Sequence, residues 1–158
     1  MRGARRPAAA TPNGYSGTPL AKKLGIGPGC RLCLRRAPAD YAALVAPLPE
    51  GVRVLPRPGA DVDLIHVFAT RRGQLERALR SSLARMRADA VLWVSWPKKS
   101  SGLASELSED QVRELALPLG LVDVKVCAVN ETWSALKLVV RKALRADWPQ
   151  RRPGGRSP

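Results

Sequence analysis

The chain has 158 residues and a mass of 17.1 kDa, which fits one compact domain with a hydrophobic core rather than a two-domain enzyme. Apolar residues make up 45% of the chain and charged residues 25%, and this balance excludes a wholly disordered or fibrous protein. The formal net charge is +14, from 27 lysines and arginines against 13 acidic residues, which favours contact with nucleic acid or another polyanion; codon bias in a GC-rich genome is the alternative explanation.

Both ends of the chain are predicted to be disordered basic tails. Residues 1–14 carry three arginines and no acid, residues 145–158 carry four arginines and one aspartate, and both segments are rich in proline and small residues. Residues 15–144 are therefore expected to form a single domain. No apolar run reaches the roughly 18 residues that a membrane-spanning helix needs, and residues 1–20 lack the apolar stretch of a signal peptide, so we expect a cytoplasmic location without membrane contact.

In the first half of the chain, short elements are separated by proline and glycine. A short helix is predicted at 18–24, which Gly25 ends and which presents Lys22 and Lys23. A run of nearly continuous apolar residues predicts a strand at 63–69 that is buried on both faces of a sheet. The elements between them are predicted in this order: a strand at 30–35, a short helix at 40–45 and a second strand at 52–55.

The next element is a basic helix. Leucines at helical spacing predict a helix at 71–87. The side opposite the leucines carries three arginines: Arg77, Arg80 and Arg87. This side is either a solvated helix face or a stripe that binds anions such as the phosphates of a nucleic acid.

The last third of the chain predicts a buried strand at 90–96, one further helix and a hairpin. Ser108 and Gln111 have the spacing of a capping box, in which each side chain bonds to the backbone of the other residue, and they predict the start of the helix. Two β-rich runs at 122–129 and 133–140 are joined by three residues and predict an antiparallel hairpin.

Strands that alternate with helices predict a small Rossmann-like α/β fold, with a mostly parallel sheet covered by helices on both faces and a C-terminal antiparallel hairpin. Class I methyltransferases end in the same way, but the residues that bind a cofactor in such folds are not matched. The turn after the first strand, at 35–40, has no glycine, and the second strand ends at Leu55 without the carboxylate that holds a ribose. We therefore predict no cofactor, and the residues favour binding over catalysis.

The three cysteines and the single histidine do not predict a metal site. Cys30 and Cys33 stand three residues apart in a predicted strand, where they point to opposite faces and cannot share a metal ion. With Cys127 the number of thiols is odd, and the reduced state is expected in the cytoplasm. His66 lies inside the buried apolar run and is expected to be a structural core residue. We predict neither a disulfide framework nor a bound metal.

The hairpin allows a sharper prediction. A three-residue loop pairs Lys125 with Lys137 directly across the two strands, and like charges in such a pair are destabilising on a scale of roughly 0.2 to 1 kcal/mol. An acidic group is expected between them, either Asp123 on the diagonal of the same face or an anionic ligand or acidic partner. Trp133, on that face, and Trp96 are either core residues or stack against bases or an aromatic ligand.

Three long motifs occur in the predicted domain: YSGTPLAKKLG at 15–25, LWVSWPKK at 92–99 and GLVDVKVCAVNETWS at 120–134. In this order they closely resemble the bacterial family known as domain of unknown function 3052, and the resemblance covers about 15–144. Members are small bacterial proteins without an established activity, so the resemblance implies a bacterial cytoplasmic domain and no mechanism. It also implies that a site should first be sought in the motifs, outside the basic tails.

The leading hypothesis is a non-enzymatic binding module that holds an anionic ligand or a protein partner on a surface lined by lysine and tryptophan where the strands end. The candidate residues come from the motifs and the hairpin: Tyr15, Ser16, Lys22, Lys23, Trp96, Lys98, Lys99, Lys125, Asn130, Glu131, Trp133 and Lys137. One alternative is a nucleic-acid-binding protein that uses Arg77, Arg80, Arg87 and the tails. The other is a divergent methyltransferase dependent on S-adenosyl-methionine, which only the predicted topology suggests.

Overall fold

The computed structural model describes residues 17–153, so the predicted tail at 1–14 and the candidates Tyr15 and Ser16 lie outside the described residues. It contains a mixed six-stranded sheet. The strands are β1 (Arg31–Arg35), β2 (Arg53–Leu55), β3 (Leu64–Phe68), β4 (Val91–Pro97), β5 (Leu121–Ala128) and β6 (Trp133–Val140). The helices are α1 (Leu20–Leu24), α2 (Tyr41–Val45), α3 (Arg72–Leu83), α4 (Glu109–Ala116) and α5 (Trp148–Arg151), with 3-10 turns at Lys99–Ser101, Leu117–Leu119 and Lys142–Leu144.

The order of the strands across the sheet is β2-β1-β3-β4-β6-β5. β1 to β4 run parallel to one another, whereas β6 runs antiparallel to both β4 and β5. The chain steps outward from β1 to β2 and then returns past β1 to β3, so the direction of the connections reverses between β1 and β3. This mostly parallel sheet, with helices on both faces and a C-terminal antiparallel hairpin, confirms the predicted fold class.

Side chains alternate between the two faces of the sheet, and each face buries a hydrophobic core of its own. On the first face, Ile65 and Leu138 belong to a core that includes residues of α3 and α4. On the second face, Leu64 and Trp93 pack with α1 and α2, and the indole Nε1 of Trp93 donates a hydrogen bond to the Leu24 carbonyl at 2.8 Å. All five residues of β3 are buried, because this strand lies in the middle of the sheet between the two helical layers.

The helices are short. α1 and α2 have five residues each, and α3 has 12. The leucine spacing predicts that this helix ends at residue 87, but α3 ends at Leu83. None of the described helices is long and apolar enough to cross a lipid bilayer. Their role in the described fold is to cover the two faces of the sheet.

The predicted domain boundary at residue 144 is wrong, because residues 145–153 are part of the fold and contain α5. Trp148 is fully buried in the first core, and its Nε1 donates to the Met86 carbonyl at 2.9 Å. Gly120 makes room for this ring, since a Cβ there would lie 3.2 Å from Trp148 Cζ3. The arginine-rich composition favoured a tail, but a buried tryptophan removes about 150 to 250 Å² from water and docks the segment.

Candidate functional site

The carboxyl ends of β1, β3 and β4 meet at one edge of the sheet, and β6 begins at the same edge because it runs antiparallel to β4. In open α/β sheets ligands bind at this edge. The hairpin loop lies against the end of β4, since the Lys98 N–H donates to the Thr132 carbonyl at 2.7 Å. Five of the predicted site residues lie at this edge: Lys98, Lys99, Asn130, Glu131 and Trp133.

Asn130 closes the hairpin loop. Its side-chain Oδ1 accepts hydrogen bonds from the backbone N–H groups of Thr132, at 2.9 Å, and Trp133, at 2.8 Å. The Val129 N–H donates to the Trp133 carbonyl at 2.9 Å, which confirms the predicted three-residue loop. The side-chain oxygen of Asn130 is therefore used within the turn, and the neighbouring Glu131 is exposed.

An open cavity of about 360 Å³ lies beside the end of β4, between the loop that follows this strand and the first turn of α4. Its polar lining residues are Lys98, Lys99, Ser105, Glu106, Ser108 and Gln111. We name it the lysine cavity. A second cavity of about 290 Å³, lined by Thr70 and Arg71, adjoins it, because Ser105 and Glu106 line both. Both cavities lie at the carboxyl edge, on the loop that carries Ser105 and Glu106.

The loop at 102–108 is held over the end of β3. The Glu106 N–H donates to the Thr70 carbonyl at 2.8 Å, and the Ser105 hydroxyl donates to the same carbonyl at 3.2 Å. The Glu106 carboxylate accepts from the Arg72 N–H at the start of α3, at 2.9 Å. These bonds fix one wall of the lysine cavity. No role was predicted for this loop, because its glycine and serines are typical of an ordinary connection.

Ser108 and Gln111 do not form the capping box that their spacing predicts. α4 begins at Glu109 with Ser108 as the N-cap residue, but the Ser108 side chain makes no capping hydrogen bond. Gln111 Oε1 is buried and has no hydrogen-bond partner among residues 17–153. A buried polar atom without a partner costs about 1 to 3 kcal/mol, and a bound ligand or water would satisfy it.

The hairpin pairs Lys125 with Lys137, as the predicted register requires. Lys137 lies beside Trp93 in the sheet, so both lysines are on the second face, where α1 packs. Lys23 on α1 reaches the same strand pair, because its Nζ donates to the Ala128 carbonyl at 3.3 Å. We name Lys23, Lys125 and Lys137 the lysine patch.

Asp123, one of the two alternatives predicted for the counter-charge of this patch, is wrong, because Asp123 does not share its face; the other alternative, an anionic ligand or acidic partner, stays a prediction. A β-bulge between Asp123 and Lys125 inserts one residue and reverses the face to which Asp123 points. Asp123 lies opposite Leu138 of the first core and accepts a hydrogen bond from Arg113 Nε of α4 at 3.0 Å. Within residues 17–153, no carboxylate forms an ion pair with the lysine patch. The predicted single surface is therefore two groups, the lysine cavity at the edge and the lysine patch on the second face.

The remaining candidates are two tryptophans and one lysine. Trp96 is buried in the first core. Trp133 is partly buried against the second core, where it makes an edge-to-face contact with Phe68 at 5.1 Å between ring centroids. The two indoles thus lie on opposite faces of the sheet and do not form one aromatic surface. Lys22 is exposed on α1.

A buried aromatic cluster fills the second face at the carboxyl edge. Tyr41, His66 and Phe68 have ring centroids 4.4 to 5.7 Å apart. The Tyr41 hydroxyl lies 2.9 Å from His66 Nδ1, and His66 Nε2 lies 2.8 Å from Ser95 Oγ. His66 and Ser95 are fully buried, so His66 is a core residue as predicted and this chain of hydrogen bonds is closed to a substrate. Burial lowers the pKa of His66 to about 3, which keeps it neutral at pH 7.

The cysteines are distributed as the sequence predicts. Cys30 belongs to the second core and Cys33 to the first, so the two thiols lie on opposite faces. Burial raises the pKa of both thiols, which disfavours the thiolate. Among residues 17–153, no group of three or more histidine, cysteine, aspartate or glutamate side chains could hold a metal ion.

The three arginines of the nucleic-acid alternative do not form one stripe. Arg80 pairs with a glutamate one turn earlier on α3, at 3.4 Å. Arg87 lies beyond the end of α3 and pairs with Asp63 and Asp89, each at 2.6 Å. It also donates to two backbone carbonyls, at positions 60 and 62. Arg77 is exposed and has no ion pair within residues 17–153, so of these three arginines it is the one available to bind a phosphate.

Asp63 and Arg87 tie the amino ends of the strands together. Asp63 precedes β3 and also accepts from the Arg31 N–H at the start of β1, at 2.8 Å. Burial alone would raise the pKa of Asp63, but the hydrogen bonds from Arg31 and Arg87 outweigh it and hold this pKa below its usual value. The pair is therefore structural, at the end of the sheet opposite the candidate site.

No protein-family model and no curated protein matches the chain. Solved structures do match its fold. A SAM-dependent methyltransferase from Aquifex aeolicus aligns with a TM-score of 0.53 and 15% identity over 77% of this chain and 87% of that chain. A methyltransferase of the same cofactor class from Clostridium acetobutylicum aligns with a TM-score of 0.50 and 6% identity over the same shares. LepI in complex with SAM aligns with a TM-score of 0.51 and 16% identity over 83% of this chain and 49% of that chain.

The residues of this chain do not fit the cofactor of these structures. The turn after β1 contains no glycine. Its residue with a left-handed backbone conformation is Arg36, with φ 61°. β2 is followed by Pro56 and Arg57, so no carboxylate stands at the strand end to hold a ribose. Tyr41 of α2 packs onto Phe68 of β3 and fills the second face between the ends of β1 and β3, where the connections reverse. The likeness to methyltransferases is therefore a likeness of fold.

Proposed function

We propose that this chain is a binding module on a methyltransferase-like Rossmann fold, and that the lysine cavity binds a small anionic ligand. The observation that carries the proposal is the unpaired Gln111 Oε1 beside a cavity that Lys98 and Lys99 also line. Buried polar groups are almost always hydrogen-bonded in folded proteins, so an unpaired one at the ligand-binding edge of the sheet has a use in binding.

The charge around the lysine cavity favours an anion. Lys98 and Lys99 line it, and the exposed Arg71 lines the adjoining cavity. Glu106 is the acidic lining residue, and its carboxylate bonds to the start of α3. A ligand with a phosphate or carboxylate for the lysines and a hydroxyl for Gln111 matches both features, and the cavity volume is at the lower end of the range for small-molecule sites.

The proposal includes the family resemblance and the location that the sequence predicts. Lys98 and Lys99 end one of the three motifs by which the chain resembles the family domain of unknown function 3052. We propose that the protein belongs to that family and acts in the cytoplasm, where small phosphorylated and carboxylated metabolites are abundant.

The test is a titration of the ¹⁵N-labelled full chain with adenosine 5′-monophosphate, which carries a phosphate and hydroxyl donors. The amide signals of Lys99, Ser105 and Gln111 are expected to shift together. Lys99→Glu should weaken binding by at least about tenfold, because it removes a charge-assisted hydrogen bond and adds a like charge. The melting temperature should stay the same, since Lys99 is exposed.

Two further variants separate binding from folding. Lys22→Glu is the matched control, because Lys22 is exposed on α1 and does not line the cavity. Gln111→Met removes the unpaired oxygen, so it should stabilise the free chain by about 1 kcal/mol and weaken ligand binding at the same time. The proposal would be contradicted if Lys22→Glu and Lys99→Glu lost equal affinity for the ligand, or if the shifted amide signals were scattered over the whole sheet.

A second candidate function is a methyltransferase dependent on S-adenosyl-methionine. The solved structures favour it over a non-enzymatic module, because two of the similar structures are methyltransferases of this cofactor class and a third is a complex with SAM. The turn without glycine and the filled second face stand against it. Calorimetry of the full chain with S-adenosyl-methionine and with its demethylated product decides between them: saturable heat supports the enzyme, and no heat at millimolar ligand removes it.

A further inference from the structure

A further cavity, of about 310 Å³, shares no lining residue with the lysine cavity. Three separate segments line it. The end of β1 contributes Arg35, the turn after β2 contributes Arg57 and Pro58, and the end of α3 with the following turn contributes Ser81 and Arg85. We name it the arginine cavity. None of its lining residues is acidic, and none of them was a candidate in the sequence.

Arg35 is oriented by hydroxyl groups instead of a carboxylate. Its Nη2 donates to Ser81 Oγ at 3.0 Å, and its Nη1 donates to Ser82 Oγ at 3.3 Å. Ser82 is fully buried, so its hydroxyl is a fixed part of the first-face packing. These bonds use two of the five N–H donors of the guanidinium, and no carboxylate within residues 17–153 forms an ion pair with it.

Arg57 and Arg85 are exposed, and within residues 17–153 neither has an ion pair or a side-chain hydrogen bond. Arg85 lies just beyond the end of α3, where the helix dipole favours a cation. The helix dipole therefore explains the position of Arg85, but not those of Arg35 and Arg57. Arg87, two residues further along, is paired with two carboxylates. Among the described residues, carboxylates therefore pair with Arg87 and not with the three arginines that line the cavity.

We propose that the arginine cavity binds a phosphate group, carried by inorganic phosphate or by a phosphate monoester. The planar guanidinium presents two parallel donors that match two phosphate oxygens, and it is the side chain preferred for this anion. The Ser81 hydroxyl donates to the Ala78 carbonyl at 3.3 Å and accepts from Arg35, so the donors for the phosphate are those of the guanidinium groups. Three like charges around one cavity repel one another, and a phosphate dianion relieves that repulsion. The site is independent of the lysine cavity.

The test is a calorimetric titration of inorganic phosphate into the full chain at low chloride, with ¹⁵N spectra to locate the site. The amides of Ser81, Ser82 and Arg85 are expected to shift. The double variant Arg57→Gln/Arg85→Gln should lose at least about tenfold in affinity and keep its phosphate-free melting temperature, because both side chains are exposed and unpaired. Arg53→Gln, at an exposed arginine of β2 outside the cavity, is the matched control and should bind normally.

Further arms distinguish the source of the phosphate and the neighbouring site. Glucose 6-phosphate that binds more tightly than inorganic phosphate identifies a monoester site, and equal affinity identifies a site for the phosphate alone. Lys99→Glu should leave both titrations unchanged. Equal losses in Arg53→Gln and the double variant, a lower phosphate-free melting temperature of the double variant, or binding of duplex DNA without binding of phosphate would each overturn the proposal.

Discussion

The single histidine of the chain offers a sharp test of how the second core is built. His66 is fully buried and its pKa is lowered to about 3, whereas an unfolded chain has a histidine pKa of about 6.5. Between these two values only the unfolded state binds a proton. The contribution of neutral His66 to stability is therefore fully present above about pH 6.5 and is lost as the pH falls towards 3.

The magnitude follows from the two pKa values. At pH 5 the unfolded imidazole is protonated in a ratio of about 30 to 1, which stabilises the unfolded state by about 2 kcal/mol, against about 0.2 kcal/mol at pH 7. The free energy of unfolding should therefore fall by about 2 kcal/mol between pH 7 and pH 5. Asp63 does not contribute much in this window, because its pKa is held below the usual value and its stabilisation is lost only at lower pH.

Urea denaturation at pH 7, 6 and 5 measures this difference. The control is His66→Gln, which has no titrating group at this position, so the pH dependence should disappear even if the variant is less stable at every pH. In the folded wild type, the imidazole signals should not titrate above pH 5. Equal stability at pH 5 and pH 7, or a folded imidazole that titrates near pH 6.5, would refute the buried neutral state.

Three stability predictions address other parts of the fold. Trp148→Ala should lower the free energy of unfolding by about 3 to 5 kcal/mol in urea denaturation, whereas a disordered C-terminal tail would give no change. Lys125→Thr removes the like-charged neighbour of Lys137 and should raise stability by about 0.2 to 1 kcal/mol, with a smaller gain in 1 M salt. Arg87→Met leaves Asp63 without its guanidinium and should cost about 1 kcal/mol or more at pH 7, and the cost should shrink at acid pH as Asp63 becomes protonated in the folded state; the loss of the hydrogen bonds to the carbonyls at positions 60 and 62 remains at every pH.

The fold was predictable where the pattern of the sequence has one physical solution. The apolar run of β3 fits a strand covered on both faces, and the alternation of strands and helices leaves few topologies for a parallel sheet. The loop between β5 and β6 fixed the register of Lys125 with Lys137, because loop length determines pairing in a hairpin. The bulge beside Asp123 was not predictable, since the valine at 124 is an ordinary strand residue.

The candidate site was predictable only in part. Lys98 and Lys99 follow from the rule that ligands bind where parallel strands end. Gln111 was missed because its spacing to Ser108 is that of a helix cap, and only the structure shows that the capping bonds are not made. Arg35, Arg57 and Arg85 were missed for another reason: they are separated in the chain and converge only when β1, β2 and α3 pack.

The distribution of lysine argues against codon bias as the full explanation of the net charge. Codons for arginine are richer in G and C than those for lysine, so a GC-rich genome replaces lysine wherever arginine serves equally well. The chain nevertheless keeps seven lysines, and six of them are in the lysine cavity, in the lysine patch or beside it on α1. A compact ammonium group differs from a guanidinium in shape and hydration, so these positions are expected to require lysine.

This requirement can be measured by conservative replacement. Lys99→Arg keeps the charge but not the shape, and it should weaken binding of adenosine 5′-monophosphate by about threefold or more while leaving the melting temperature unchanged. Lys142→Arg is the control, because Lys142 is exposed in a 3-10 turn that lines neither cavity. If both variants bind as the wild type does, the retained lysines have no role in recognition and the argument from their distribution fails.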